Sequence, residues 1–167
     1  MKKESEFNTV VKNSIINCDG FAHKISDIGQ VQHGTLPFDI FGCCKNKMVV
    51  CESKFYKEPQ AFNFKRLEDH QIKSLIQVYE SFSDPDRICA LFVIGMRFGY
   101  NDTRIFWWKN EDLYYIQRRK NSNKSIYKKE FLEMDKYIKI KNNSFDFTEI
   151  LNSNIRLNVI IVVKKKL

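Results

Sequence analysis

Histidine is scarce in this 167-residue chain. The three residues, at 23, 33 and 70, are never paired at helical spacing, so an all-histidine metal site has little to build from. The five cysteines, at 18, 43, 44, 51 and 89, are odd in number and include no CxxC pair, which argues against a disulfide scaffold or a zinc cluster. Any metal here would be bound by oxygen. Only six glycines and three prolines occur, excluding a collagenous, low-complexity or linker-dominated chain. No apolar run approaches the roughly 18 residues that span a bilayer; the one from Val159 to Val163 stops at Lys164. The first residues, Met1 to Glu6, lack the apolar segment of a signal peptide. The expectation is a cytoplasmic protein with no membrane contact. It is read as one domain over 1–167, with a core at about 6–116 and a basic C-terminal extension at 117–167.

Hydrophobic residues at 43% and charged residues at 29% are globular values. The net charge of +8 is unevenly placed. Residues 1 to 117 hold 15 basic and 15 acidic groups, whereas residues 118 to 167 hold 13 basic and 5 acidic. The last third carries the whole excess, the footprint expected of a polyanion binder, although solvated lysines produce the same count.

Apolar residues Phe7, Val10, Val11 and Ile15 fall on one helical face between Glu6 and Ile16. A strand from Phe21 to Ile25 follows, then a loop from Gln30 to Leu36 that contains Gly34 and leads to Pro37. Phe38–Phe41 and Met48–Phe55 are predicted strands of a hairpin, joined by a turn over Gly42–Lys47. Tyr56 to Phe64 is expected as an ordered loop, and Arg66 to Phe82 as a helix with the stripe Ile72, Leu75, Ile76 and Tyr79. The continuous apolar run Ile88–Ile94 suits a central strand covered on both faces. A strand at Arg104–Trp108, a short helix from Asn110 to Ile116, a mobile basic loop over 117–124, a helix around Ser125–Met134 and a final strand at Ile155–Val163 complete the reading. The order α-β-β-β-α-β-β is that of an α/β mixed sheet flanked by helices.

Chemistry concentrates in Pro37-Phe-Asp39 and, thirteen residues after the aspartate, Glu52-Ser-Lys54. The two strands of a hairpin can bring Asp39 beside Glu52, and strand alternation puts Lys54 on the face of Glu52. Hard divalent cations take oxygen ligands, Mg²⁺ commonly one or two carboxylates, while an ammonium suits the charge that develops on a phosphate. The pair also follows the apolar run Met48–Cys51, where charge asks for a reason. Cys51 alternates to the opposite face and reads as a buried cysteine.

On these residues the chain resembles the PD-(D/E)xK nucleases, and within them the Holliday junction resolvases, most closely the bacterial RecU type, with a shorter likeness to the archaeal enzymes. The resemblance spans about residues 34 to 108. It rests on Gly34-Thr-Leu-Pro-Phe-Asp-Ile-Phe-Gly42, Val50-Cys-Glu-Ser-Lys54, Ala61-Phe62 and Asp69-His-Gln71. It implies a restriction-endonuclease-like fold, catalysis by Asp39, Glu52 and Lys54, and a Mg²⁺ or Mn²⁺ ion held by Asp39, Glu52 and Gln71. An acidic residue on the first helix, Glu6 or next Glu4, would complete the site. It further implies a homodimer that resolves branched, four-way DNA by symmetric phosphodiester hydrolysis. The alternatives are a nuclease of the same fold with another DNA substrate, or a nuclease-like DNA-binding module that does not cut.

His70 reads as a structural or DNA-contacting residue. Arg118, Arg119 and Lys120 are candidate phosphate contacts beside Trp107-Trp108 and Tyr114-Tyr115, aromatics that suit either base stacking or a core. Lys164–Lys166 is read as a solubilising tail.

Overall fold

The computed structural model describes residues 3–25, 38–134 and 137–153. The sequence expectations for the loop around Gly34 and Pro37, the strand Ile155–Val163 and the tail Lys164–Lys166 lie outside the described residues.

A six-stranded mixed sheet, in the order β1-β2-β3-β4-β5-β6, is flanked by helices on both faces. The chain runs through α1 (Glu4–Ile16), β1 (Phe21–Lys24), β2 (Ile40–Cys44), β3 (Lys47–Tyr56), α2 (Asp69–Glu80), β4 (Ile88–Gly99), β5 (Asp102–Lys109), α3 (Asp112–Asn121), α4 (Lys128–Glu133), β6 (Ile138–Lys139) and α5 (Phe147–Asn152). β3 and β4 pair in parallel through the α2 crossover, and all other pairings are antiparallel. This is the α/β architecture expected from the element order.

Strand alternation sorts the core into two layers. Val49, Cys51 and Phe55 of β3 pack with Phe7, Val11 and Ile15 of α1 and with Ile150 of α5. Val50 and Tyr56 face the other way, toward Ile72 and Leu75 of α2, Leu113 and Ile116 of α3, and Phe131 of α4. β4 supplies both layers, with Leu91 and Val93 on one side and Phe92 and Ile94 on the other, which is why its sequence does not alternate. Gly95 lets α1 approach: a Cβ there would stand 2.6 Å from the Phe7 ring. That close seat fixes the height of the α1 N-terminus over the sheet.

Three local expectations are corrected. β2 continues through Cys44, so the hairpin turn shrinks to Lys45 and Asn46, both at positive φ (49° and 63°), the pairing of a tight two-residue turn. The basic stretch expected as a loop from residue 117 is instead the second half of α3. Its charged residues complement the helix C-terminus, and Leu113 and Ile116 anchor it. β6 and α5 were not anticipated. Trp108 is fully buried against Phe92, and Trp107 packs on the α1 side with Nε1 donating to Ser153 Oγ at 3.3 Å, so both tryptophans belong to the fold.

Candidate active site

Asp39 immediately precedes β2. Its N–H donates to the Cys51 carbonyl at 2.9 Å, and the pair Ile40–Cys51 in the ladder places it across from Glu52. Its Oδ2 accepts the Ser53 N–H at 2.9 Å and lies 3.3 Å from Ser53 Oγ, which is also hydrogen-bonded to the buried Asn8 of α1. The aspartate is therefore aimed by backbone on one side and by a helix-anchored serine on the other.

Glu52 is fully buried. Its Oε1 accepts Lys54 Nζ at 2.6 Å and Gln71 Nε2 at 2.7 Å. Its Oε2 is buried and has no hydrogen-bond partner among the described residues. An orphaned carboxylate oxygen in a protein interior is costly and calls for a counter-charge. Burial, reinforced by the charge of Asp39, pushes Glu52 up to about 8 from the usual carboxylate range, and the Lys54 ammonium only partly offsets this. Asp39 is raised for the same leading reason, burial, against the opposing Ser53 N–H and Lys54.

Burial presses the Lys54 pKa down, but Glu52, Glu4 and Asp39 together outweigh it and leave the ammonium more basic than usual. Lys54 is thus a fixed positive charge at neutral pH. It is not poised to act as a base. Its second partner is Glu4 Oε1 at 3.2 Å, and Glu4 Oε2 pairs with Arg66 Nη2 at 3.1 Å.

The structure brings together Asp39, Glu52, Lys54 and Gln71, which come from three separate segments of sequence. Of the two candidates on the first helix it places Glu4, not Glu6, at Lys54, and Glu6 is exposed. Glu4 lies three residues before the buried Phe7 and so continues the sheet-facing stripe one turn back, whereas Glu6 is off that stripe. Ser53, Asn8 and Arg66 are site residues that pattern reading passed over. His70 pairs with Glu68, Nδ1 to Oε2 at 3.4 Å.

Gln71 spends both ends of its amide. Nε2 holds Glu52, while Oε1 accepts the Glu68 N–H at 3.0 Å and caps α2. Removing it should loosen both the helix start and the carboxylate. Gln71→Ala is expected to lower stability by about 1 kcal/mol in urea unfolding and to reduce any cleavage activity roughly ten- to a hundredfold.

Of the three basic candidates on α3, two are occupied. Both guanidinium nitrogens of Arg119 bind Glu130, at 2.7 and 2.9 Å, and Nη1 also donates to Tyr115 Oη at 2.6 Å. Lys120 pairs with Asp69 at 3.0 Å and donates to the carbonyls of Leu67 and Phe64. These contacts tie α3 to its neighbours, so Arg119 and Lys120 serve the fold, and Arg118 alone of the three is exposed.

No protein-family model matches the chain, and no curated protein matches it in sequence. Among solved structures it is similar to Hjc, a Holliday junction resolvase from the archaeal hyperthermophile Archaeoglobus fulgidus. That likeness has 15% identity and a TM-score of 0.44, and covers 78% of this chain and 89% of the other.

The donor set also bears on which ion would suit this site. Among the described residues there is no group of three or more His, Cys, Asp or Glu side chains able to hold a metal. Asp39 and Glu52 would offer two carboxylates, the sparse protein share that Mg²⁺ accepts while keeping water and phosphate oxygens around it. The unpartnered Glu52 Oε2, and the upward push on both carboxylates, are what a divalent cation would relieve.

Proposed function

We propose that this chain is a metal-dependent DNA endonuclease acting on branched DNA, in the manner of a Holliday junction resolvase. The observation that carries the proposal is Glu52: buried beside Asp39, bound through one oxygen to the Lys54 ammonium, and left with the other oxygen unpartnered. A purely structural ion pair would not leave a second carboxylate alongside and a buried oxygen orphaned.

Asp39 and Glu52 would hold Mg²⁺ or Mn²⁺. Such an ion polarises a phosphoryl oxygen and lowers the pKa of a coordinated water. Lys54, protonated throughout the neutral range, is placed to stabilise negative charge developing on the scissile phosphate. Ser53 and Gln71 hold the two carboxylates in register, and Glu4 restrains the lysine. The products expected are 5′-phosphate and 3′-hydroxyl ends.

The preference for a branch, and the pairing of two copies to make two symmetric nicks, rest on the sequence resemblance around Asp39, Glu52, Lys54 and Gln71. Among the described residues no helix is long and apolar enough to cross a membrane.

The cation requirement is testable without DNA. A ligand that binds only the folded state raises its melting temperature. Millimolar Mg²⁺ or Mn²⁺ should therefore raise that of the wild type at pH 8 by several degrees over EDTA, and should leave Asp39→Asn unmoved. Equal shifts in both proteins would show that the cation binds elsewhere.

A further inference from the structure

We infer that Arg66 is a phosphodiester-binding residue beside the site, paired with Glu4 in the free protein and released from it when nucleic acid binds. The inference rests on the nuclease reading above and assigns the substrate backbone a second point of contact.

Arg66 closes a short turn, Phe64–Arg66, that is rigid for visible reasons. Asn63 Oδ1 accepts the Lys65 N–H at 2.9 Å, and Lys120 grips the carbonyls of Phe64 and Leu67 on either side of the arginine. The guanidinium lies 4.4 Å over the Tyr56 ring. That ring is buried and fixed edge-on against Phe62, centroids 6.0 Å apart at 82°. Stacking on a fixed ring orients the planar donor fork before any ligand arrives.

The position of this fork relates it to the chemistry. One carboxylate, that of Glu4, bridges Arg66 and Lys54, so the exposed cation stands immediately outside the buried one. Among the described residues Glu4 is the only hydrogen-bond partner of the guanidinium. The Arg66 and Glu4 side chains are 41% and 34% exposed, and ion pairs that wet contribute little to stability, so a phosphate can replace the carboxylate on Arg66 at small cost. A phosphate oxygen pair matches the guanidinium fork as well as a carboxylate does. Glu4 is then an internal competitor with the substrate, and it keeps its grip on Lys54 when Arg66 leaves.

This arrangement predicts opposite effects from the two halves of one ion pair. Fluorescence anisotropy with labelled branched DNA in EDTA, across roughly 50 to 200 mM salt, reads affinity and its salt slope. Arg66→Ala should weaken binding about five- to tenfold and flatten the slope of log K against log salt by about one. Glu4→Gln should tighten binding about two- to fivefold, because it removes the competitor and leaves the arginine in place. Arg66→Lys should keep the slope but recover only part of the affinity, since an ammonium cannot present the stacked fork. A merely structural pair would move Arg66→Ala and Glu4→Gln in the same direction and leave the slope alone. An unchanged slope in Arg66→Ala, beside a wild type that binds and cuts DNA, overturns this assignment and spares the nuclease reading. A wild type that binds no DNA even at low salt overturns both.

Discussion

Glu52→Gln is expected to abolish cleavage and, in the same protein, to increase stability at pH 8 in the absence of metal. The loss of activity follows from removing one of the two carboxylates proposed to hold the cation, and should reach at least about a hundred- to a thousandfold. The gain in stability follows from burial. An ordinary glutamate ionises near 4.5, but Glu52 keeps its proton up to about 8 because its carboxylate is shut away from water next to Asp39. At pH 8 and above, folding the metal-free protein requires a buried negative charge with an unpartnered oxygen. A glutamine of the same shape has no such charge, accepts from Lys54 and Gln71 through its amide oxygen, and leaves Lys54 paired with Glu4. Urea unfolding in EDTA at pH 8 should show the variant more stable by a few kcal/mol, in keeping with about 1.4 kcal/mol per unit of pKa displacement. A variant that loses both activity and stability would mean that Glu52 is a structural anchor.

The wild type should carry the matching pH dependence. A group whose pKa is higher in the folded state gives stability that is complete below its unfolded pKa and disappears as pH rises through the folded value. For Glu52 that window runs from about 4.5 to about 8, and Asp39, displaced the same way from 3.8, adds to its acidic end. The metal-free protein should therefore melt at a lower temperature at pH 8 than at pH 5. Asp69, held low by Lys120, and Asp102, held low by Arg104, act with opposite sign, but only below about pH 4, where their stabilising charge is lost. Mg²⁺ at saturating concentration should remove most of the decline, because a bound cation supplies the counter-charge as the carboxylates ionise. Glu52→Gln should lose most of the pH dependence and most of the response to Mg²⁺. A wild-type melting temperature that rises steadily from pH 5 to pH 8 in EDTA would contradict the buried-carboxylate account.

The strand pair that carries the candidate site was legible in the sequence for a simple physical reason. Period-two alternation places Lys54 over Glu52, and a hairpin of this length returns Asp39 to their level, so local geometry alone assembles three of the groups. Gln71 came from the resemblance alone, since an amide beside the apolar stripe of α2 could equally face solvent, and only the packing of α2 on the sheet carries its Nε2 to Glu52. Glu4 was not, because its approach depends on how far α1 slides across the sheet. That height is set by Phe7 seated on Gly95, a contact between residues 88 positions apart. Arg66 was hidden for a similar reason, as its orientation comes from Tyr56 and from Lys120, neither adjacent to it in sequence. The length of α3 was misread because its second half is polar, and what orders it is the pairing of Arg119 with Glu130 and of Lys120 with Asp69. Those pairs also explain why a basic run that looked like a phosphate-binding loop mostly serves the fold.

We propose that Glu52, with Asp39 beside it, forms a metal-dependent phosphodiesterase site for branched DNA. It is tested most directly by incubating an end-labelled synthetic four-way junction and a linear duplex of matching sequence with the wild type, in Mg²⁺, in Mn²⁺ and in EDTA, with Glu52→Gln alongside. The account predicts paired, symmetric nicks in the junction, dependent on the cation, absent in EDTA and absent with Glu52→Gln. Nicking of both DNAs alike would retain the nuclease and remove the branch preference. Intact DNA in every lane, or cleavage that persists in EDTA or in Glu52→Gln, would contradict it.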